Sequence, residues 1–332
     1  MRRSYTAVIS KHHNKRLMTI GLLIAVAMRL CAGLMIEQTA FGLALPILPI
    51  LGIETETIRF GSWSLLVYLP SFTLFAWAIQ KCITYYGLLH THSLLPTYLA
   101  MILGSLAPSI AYANLHFVVL TALTGGVFIL YQMWHHPQPQ LHALNLSIIM
   151  SLLSLLDFRL IYLMPVIWWA MWRLKALTLK ALIASAIGLI SCYWMTTCYL
   201  LIMGKTMAEI GTLWHDYIML SNQYDEPLSR PRLLYLSLIL IAMLINSILT
   251  RQQNESIKTR AHLSATRLLL IGVATLTAAL PASRLMLSAT LVPLLILVAY
   301  HLSSLPRRSY RWSIRLFTII TLIVLFLELW TF

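Results

Sequence analysis

The stretch ALIASAIGLISCYWMTTCYLLIM, residues 181–203, contains no charged residue and exceeds the roughly 20 residues that a helix needs to cross the hydrocarbon core of a membrane. Similar apolar stretches recur along the chain and are separated by short basic patches. Of the 332 residues, 59% are hydrophobic and 10% are charged, and the mean hydropathy is +0.80. A soluble domain carries about 25% charged residues, so this composition falls outside the soluble class. The sequence therefore predicts an all-α, polytopic membrane protein.

The apolar stretches predict about eleven membrane-crossing or membrane-embedded helices in a single integral membrane domain, residues 1–332. Each helix must rise about 30 Å at roughly 1.5 Å per residue. The predicted segments are 17–36, 62–80, 94–112, 115–134, 143–157, 160–173, 181–203, 233–250, 266–283, 285–304 and 314–331.

The basic residues predict how these segments are oriented. With the N-terminus in the cytoplasm, 17 of the 24 Lys and Arg residues fall in cytoplasmic loops or adjoining helix ends, and six fall outside. Lys and Arg collect on the cytoplasmic side, so residues 1–16 are predicted to be a basic cytoplasmic tail. An odd number of crossings then places the C-terminus outside. The net charge of +14 is explained by this orientation, and no nucleic-acid partner is expected.

Nine of the ten acidic residues fall on or near the outer side, and acids contribute little to orientation. An active or binding site is therefore expected on the outer face. Two outer segments stand out there, the first loop 37–60 and the loop 204–231. The second begins with an amphipathic helix predicted to lie in the outer interface. Its apolar face is predicted to hold Met207, Ile210, Trp214, Tyr217 and Ser221, with Glu209, Thr212 and Asp216 turned away.

The segments 143–157 and 160–173 are short, since about 15 residues reach only some 22 Å. Their connection, Asp157-Phe158-Arg159, is therefore predicted to stop below the outer surface as the tip of a re-entrant hairpin. Such a tip is tolerated where it is buried in protein or lines a water-filled cavity.

Short motifs follow one another along the chain in a distinctive order. They are 81–86 (KCITYY), 95–98 (LPTY), 105–108 (SLAP), 151–158 (SLLSLLDF), 172–173 (WR), 246–247 (NS) and 281–284 (PASR). This order resembles that of a family of uncharacterised multi-spanning inner-membrane proteins of Bacteroidota. The resemblance covers most of the chain and is least evident in the first outer loop. It implies the bacterial inner membrane as the compartment, and it carries over no activity and no site residue.

Three charged residues near the predicted tip form one candidate site. Asp157 and Arg159 fit either a capped interfacial turn or an anion-recognising arginine beside a carboxylate that acts as a base or metal ligand. Arg29 lies about a dozen residues into the first predicted helix, where a charge indicates a partner or a polar cavity. It could also snorkel to the outer interface. Glu37 and Asp157 are its natural partners.

Glu54 and Glu56 in the first outer loop invite comparison with membrane glycosyltransferases that use polyprenyl-phosphate sugar donors. A carboxylate at this place can deprotonate an acceptor or bind a divalent cation, while arginines hold the lipid phosphate. The paired-acid motif typical of such enzymes is absent, so the comparison rests on architecture. The alternative is a solvated turn.

The remaining motifs are assigned to packing or exclude reaction classes. Ala184 with Gly188, and Gly125 with Gly126, predict close helix–helix contacts. The histidines at the cytoplasmic helix ends do not have the spacing of an iron site. Glycine-rich phosphate loops, G-x-S-x-G and H-E-x-x-H are absent, which disfavours an ATPase, a serine hydrolase and a zincin.

Three functional hypotheses follow. The first is a glycosyltransferase-like or other envelope-biogenesis enzyme that acts on a lipid-linked substrate at the outer face. Its candidate residues are Asp157, Glu54 and Glu56 as catalytic groups, and Arg29 and Arg159 as phosphate ligands. The second is a non-catalytic subunit or scaffold of an envelope assembly. The third is a transporter, which the lack of a convincing inverted repeat disfavours.

Overall fold

The computed structural model describes residues 64–89, 94–104, 113–223, 256–279, 284–305 and 307–331, with the single residues 19, 23 and 237. Within these ranges the chain forms ten α-helices, one 3-10 turn and no β-strand, which confirms the all-α prediction. The helices are α1 (Ser64–Tyr85), α2 (Leu95–Gly104), α3 (Ala113–Gln132), α4 (Pro139–Leu156), α5 (Leu163–Arg173), α6 (Leu179–Ile202), α7 (Met207–Gln223), α8 (Ile257–Ala279), α9 (Arg284–Ser304) and α10 (Arg307–Thr331). The predicted segments 17–36 and 233–250 lie outside the described residues, apart from those single positions.

Three helices begin well before the apolar stretches that predicted them: α4, α8 and α10, the last of which starts at Arg307, seven residues before 314. Helix α4 starts at Pro139, four residues before 143, because proline suits the first position of a helix. Helix α8 starts at Ile257, nine residues before 266, where the Ser256 hydroxyl accepts the Thr259 N–H at 3.1 Å. The prediction that both hairpin arms are short is therefore wrong for α4, whose 18 residues reach about 27 Å. It holds for α5, whose 11 residues reach about 16 Å.

Helices α2 and α9 form the centre of the bundle. All ten residues of α2 are buried, and so is every residue of α9 from Leu291 to Leu302. A helix that is apolar on all sides is stable only when it is surrounded, and α9 contacts α2, α3 and α8. The main hydrophobic core accordingly runs through α1, α2, α3, α4, α5, α8 and α9.

Helices α4 and α6 pack side by side in parallel, with the shorter α5 between them in sequence. Gly188 of α6 lies against Ser147 of α4, and further along the Tyr193 hydroxyl is 2.7 Å from Ser154 Oγ. A Cβ at position 188 would come within 2.5 Å of Ser147 Oγ and 2.8 Å of the Leu144 carbonyl oxygen. Glycine therefore allows the close approach, which confirms the helix-packing interpretation of Gly188.

Helices α4 and α6 are also the two described helices that are long and apolar enough to cross a membrane, judged by length and composition. In α4 half of the apolar window is buried in the protein, but in α6 the share is 22%. The other face of α6 carries six apolar side chains at helical spacing that are each more than half exposed. This α6 apolar stripe comprises Leu179, Ile183, Ile187, Ile190, Trp194 and Ile202.

Candidate functional site

The connection between α4 and α5 is a buried, charged turn. Asp157 ends α4 in an extended conformation (φ −148°, ψ 112°), and the 3-10 turn Phe158–Tyr162 follows. The Asp157 Oδ1 atom accepts the backbone N–H of Arg159 at 3.0 Å and its Nε–H at 3.1 Å. Both residues are only 5% exposed. The tip is thus buried, as a re-entrant hairpin requires, and its two charges compensate each other within one turn.

Helix α7 covers this turn with aromatic side chains. The Tyr217 hydroxyl donates to the Ser154 carbonyl oxygen at the end of α4, and its ring lies 6.3 Å from that of Phe158. The Trp214 ring lies 5.3 Å from that of Tyr193 on α6. The four rings form an aromatic cover that ties α4, the turn, α6 and α7 together.

The inward face of α7 agrees with the predicted one at Ile210, Trp214 and Tyr217, while the side chain of Ser221 lies outside the described residues. Ile210 and Tyr217 are buried and Trp214 is half-buried, while Glu209, Thr212 and Asp216 are exposed. Met207, which the prediction placed on the same face, is 65% exposed. It belongs to the first turn of α7, one turn before Ile210, the first buried residue of the helix.

A capping box that the sequence reasoning missed starts α7. The Glu209 N–H donates to Thr206 Oγ1 at 3.3 Å, and the Thr206 N–H donates to Glu209 Oε2 at 2.9 Å. The hydrogen bond from the Thr206 N–H holds the pKa of the Glu209 carboxyl below its ordinary value. Gly204, at φ 82°, makes the preceding turn that side chains rarely allow. The signal was present as T-x-x-E at 206–209.

Of the predicted site residues, the structure brings together Asp157 and Arg159. Arg29, Glu54 and Glu56 lie outside the described residues. In the part of the chain that the structure describes, no three His, Cys, Asp or Glu side chains are grouped so that they could hold a metal ion.

An apolar cavity of about 40 Å³ lies between α3, α4, α5, α8 and α9. Its walls include Val127, Met150, Val166, Val273 and Pro293, and no charged side chain lines it. Asp157 and Arg159 are not part of its walls, although Leu163, one turn after Arg159, is. The cavity can accommodate apolar atoms but offers no group for polar chemistry.

Buried basic groups on α8 and α9 are a second feature that sequence reasoning missed. His262 is fully buried, with its ring stacked on Tyr131 at a centroid distance of 4.5 Å. Arg267 is one of the 17 basic residues counted for the cytoplasmic side. Its Nε and Nη2 atoms are buried and have no hydrogen-bond partner among the described residues, and the same holds for the Nε2 atom of His301. The available signal was an arginine at the start of an apolar run, LLLIGVATL, where no acid follows.

Comparison of the chain with protein-family models, with curated proteins and with solved structures found no match. Membership of the Bacteroidota family indicated by the sequence therefore stays a prediction.

Proposed function

We propose that the chain is a multi-pass protein of a bacterial inner membrane, with about eleven membrane segments, a cytoplasmic N-terminus and an external C-terminus. The α6 apolar stripe is the observation that carries the membrane assignment. Burial of one such side chain is worth about 1.5–3 kcal/mol, so six of them facing water would be strongly unfavourable. Large apolar surfaces of this kind mark a membrane or a protein interface. Residues 181–202 of α6 contain no charged side chain, and this length favours the membrane.

The topology is tested by reporter fusions at two positions. A fusion at Phe332 should report an external C-terminus, and a fusion after Leu305 should report the cytoplasm. A cytoplasmic signal at Phe332 would contradict the odd number of crossings. Loss of the protein from membranes under alkaline extraction would contradict the membrane assignment itself.

We further propose that the buried turn at Asp157 and Arg159 serves an envelope-biogenesis enzyme, glycosyltransferase-like or related, that acts on a lipid-linked substrate at the outer face. A guanidinium is well suited to a phosphate group, and a neighbouring carboxylate can act as a base. The burial of both groups supports this proposal, because electrostatic interactions are stronger away from water. Arg29, Glu54 and Glu56 are the further residues proposed to take part.

One observation favours the alternative, a non-catalytic subunit or scaffold. The Asp157 carboxylate accepts both the backbone N–H and the Nε–H of Arg159. It therefore already has a structural task, to cap the turn between α4 and α5. In a scaffold only the shape of the turn would matter, so other residues could replace Asp157 and Arg159 as long as the turn kept that shape.

Binding of a polyprenyl phosphate separates the two proposals. The full chain in lipid nanodiscs, studied by native mass spectrometry, should retain the lipid, and Arg159→Gln should weaken the binding at least about tenfold. Arg173→Gln is the matched control, because Arg173 lies at the other end of α5 and donates to Ser264 Oγ at 2.8 Å. Arg159→Lys keeps the charge if the glutamine variant does not fold. Absence of binding, or equal loss in Arg159→Gln and Arg173→Gln, would leave the scaffold as the better proposal.

A further inference from the structure

Arg267, a partly exposed residue of α8, and His301, a buried residue of α9, lie on two helices that pack against each other, away from the turn at Asp157. Three of their nitrogen atoms, Arg267 Nε and Nη2 and His301 Nε2, are buried and accept or donate no hydrogen bond. His301 is 5% exposed and lies in the last turn of α9. Arg267 lies about three turns after the first residue of α8. The two helices pack against each other, and the charge of Arg267 acts on the His301 imidazole.

No described residue compensates the positive charge of this pair. Among the carboxylates whose side chains the structure describes, none pairs with Arg267: Asp157 is bound to Arg159, and Glu209 and Asp216 are exposed on α7. The C-terminal end of the α9 dipole offers a partial negative charge, worth about 0.3–1 kcal/mol to a nearby cation. That is less than the penalty for leaving charged donors buried without an acceptor, which exceeds about 1–3 kcal/mol per group.

The two unpartnered atoms of Arg267 define the shape of the missing acceptor. Nε and Nη2 share one edge of the planar guanidinium, and their N–H bonds point in the same direction. Two parallel N–H donors match two oxygens of one phosphate or carboxylate group. His301 Nε2 can supply a donor to a third oxygen. Because phosphate has oxygens beyond the two that the arginine edge takes, it fits the set of three donors better than a carboxylate does.

We propose that Arg267 and His301 bind a phosphate group between α8 and α9, near the end of the pair where α8 begins and α9 ends. In the proposed topology this is the cytoplasmic side, opposite to the turn at Asp157. Basic pockets between membrane helices on that side bind anionic lipid headgroups. The phosphate therefore belongs either to such a headgroup or to a free phosphate compound of the cytoplasm. The site is independent of the proposed outer-face activity.

The proposal is tested by ligand binding to the full chain purified in a non-ionic detergent. Native mass spectrometry should show phosphatidylglycerol bound at least about tenfold more tightly than phosphatidylcholine, whose headgroup carries no net charge. Arg267→Gln should lose about tenfold or more of that binding, because it removes a charge-assisted bidentate contact. Arg260→Gln on the same helix is the control, since Arg260 is exposed, and it should change binding less than about twofold.

Inorganic phosphate distinguishes the two sources of the ligand. Displacement of phosphatidylglycerol by phosphate, but not by chloride at equal ionic strength, supports a site open to free phosphate compounds. Binding of phosphatidylglycerol that phosphate does not displace supports a lipid headgroup. If Arg267→Gln does not fold, Arg267→Lys keeps the charge without the bidentate edge and should bind several-fold more weakly. The proposal is overturned if the wild-type chain binds neither probe preferentially, or if Arg260→Gln weakens binding as much as Arg267→Gln.

Discussion

Arg159 and Arg267 both have buried guanidinium nitrogen atoms, but they differ in whether a described residue accepts hydrogen bonds from them. Arg159 finds its acceptor two residues away, in the Asp157 carboxylate that also fixes the turn. The Nε and Nη2 atoms of Arg267 have no acceptor, and the helix beside it contributes a histidine. The difference indicates that one guanidinium has its acceptor within the same turn, whereas the other has none among the described residues.

The largest expected effect comes from removal of the Asp157 carboxylate. Asp157→Ala removes the carboxylate that binds the buried Arg159 guanidinium and should destabilise the protein by about 3–5 kcal/mol. Chemical unfolding in detergent measures the change. Asp216→Ala, at an exposed position of α7, is the control and should stay within about 0.5 kcal/mol of the wild type. Equal effects of the two substitutions would show that the turn does not depend on this ion pair.

The next effect concerns the contact between α4 and α6 that supports the same turn. Gly188→Ala places a Cβ atom 2.5 Å from Ser147 Oγ and 2.8 Å from a backbone oxygen, so the helices must move apart. The expected loss is about 1–3 kcal/mol in the free energy of unfolding. Gly125→Ala, where a Cβ meets nothing within 4 Å, should be neutral or stabilising by less than about 1 kcal/mol. Equal changes in the free energy of unfolding for Gly188→Ala and Gly125→Ala would show that α4 and α6 are not closely packed at Gly188.

Replacement of Arg267 by an apolar residue tests the opposite half of the comparison. In detergent without phosphate or anionic lipid, Arg267→Met should be neutral or stabilise the protein by about 1 kcal/mol, because it removes an uncompensated buried charge. Arg159→Met should destabilise it, since the Asp157 carboxylate then loses its partner. The same unfolding measurement serves both variants. If Arg267→Met lowers the stability as much as Arg159→Met does, then Arg267 contributes to the stability of the fold in the same way as Arg159, and the two arginines do not differ.

The smallest effect is expected at the aromatic cover. Tyr217→Phe removes the hydroxyl that donates to the Ser154 carbonyl oxygen and should cost about 1 kcal/mol in thermal unfolding. Tyr199→Phe, in an exposed position on α6, should leave the midpoint unchanged. A midpoint for Tyr217→Phe equal to that of the wild type would mean that packing alone holds α7 on the turn.

Much of the fold could be predicted from hydropathy and spacing. Residues 181–203 predicted α6 almost to its ends, Gly188 marked a close helix contact, and the inward positions Ile210 and Tyr217 of α7 followed from the helical period. The starts of α4 and α8 could not be found in this way, because hydropathy marks apolar surface and not backbone hydrogen bonds. Pro139 and Ser256 set those starts through local capping chemistry.

Only the part of the site that is formed by residues close together in the sequence could be predicted. Asp157 and Arg159 are two residues apart, so their association could be anticipated from one turn of sequence. The pairing of Arg267 with His301 joins residues that are far apart in the chain, and a single sequence does not reveal such tertiary contacts. Arg267 was counted only as a signal of cytoplasmic orientation, and the burial of its Nε and Nη2 atoms was not predicted.

The position of α5 also bears on how the chain is made. Its 11 residues are too short to cross a bilayer unaided, and its main packing partner is α8, which begins more than 80 residues later. Val166 of α5 fits against Gly272 of α8, where a Cβ atom would collide with the valine. In the proposed topology, α4 and α6 are synthesised before the helix against which α5 packs. The contact between α5 and α8 can therefore form only once the C-terminal third of the chain has been made.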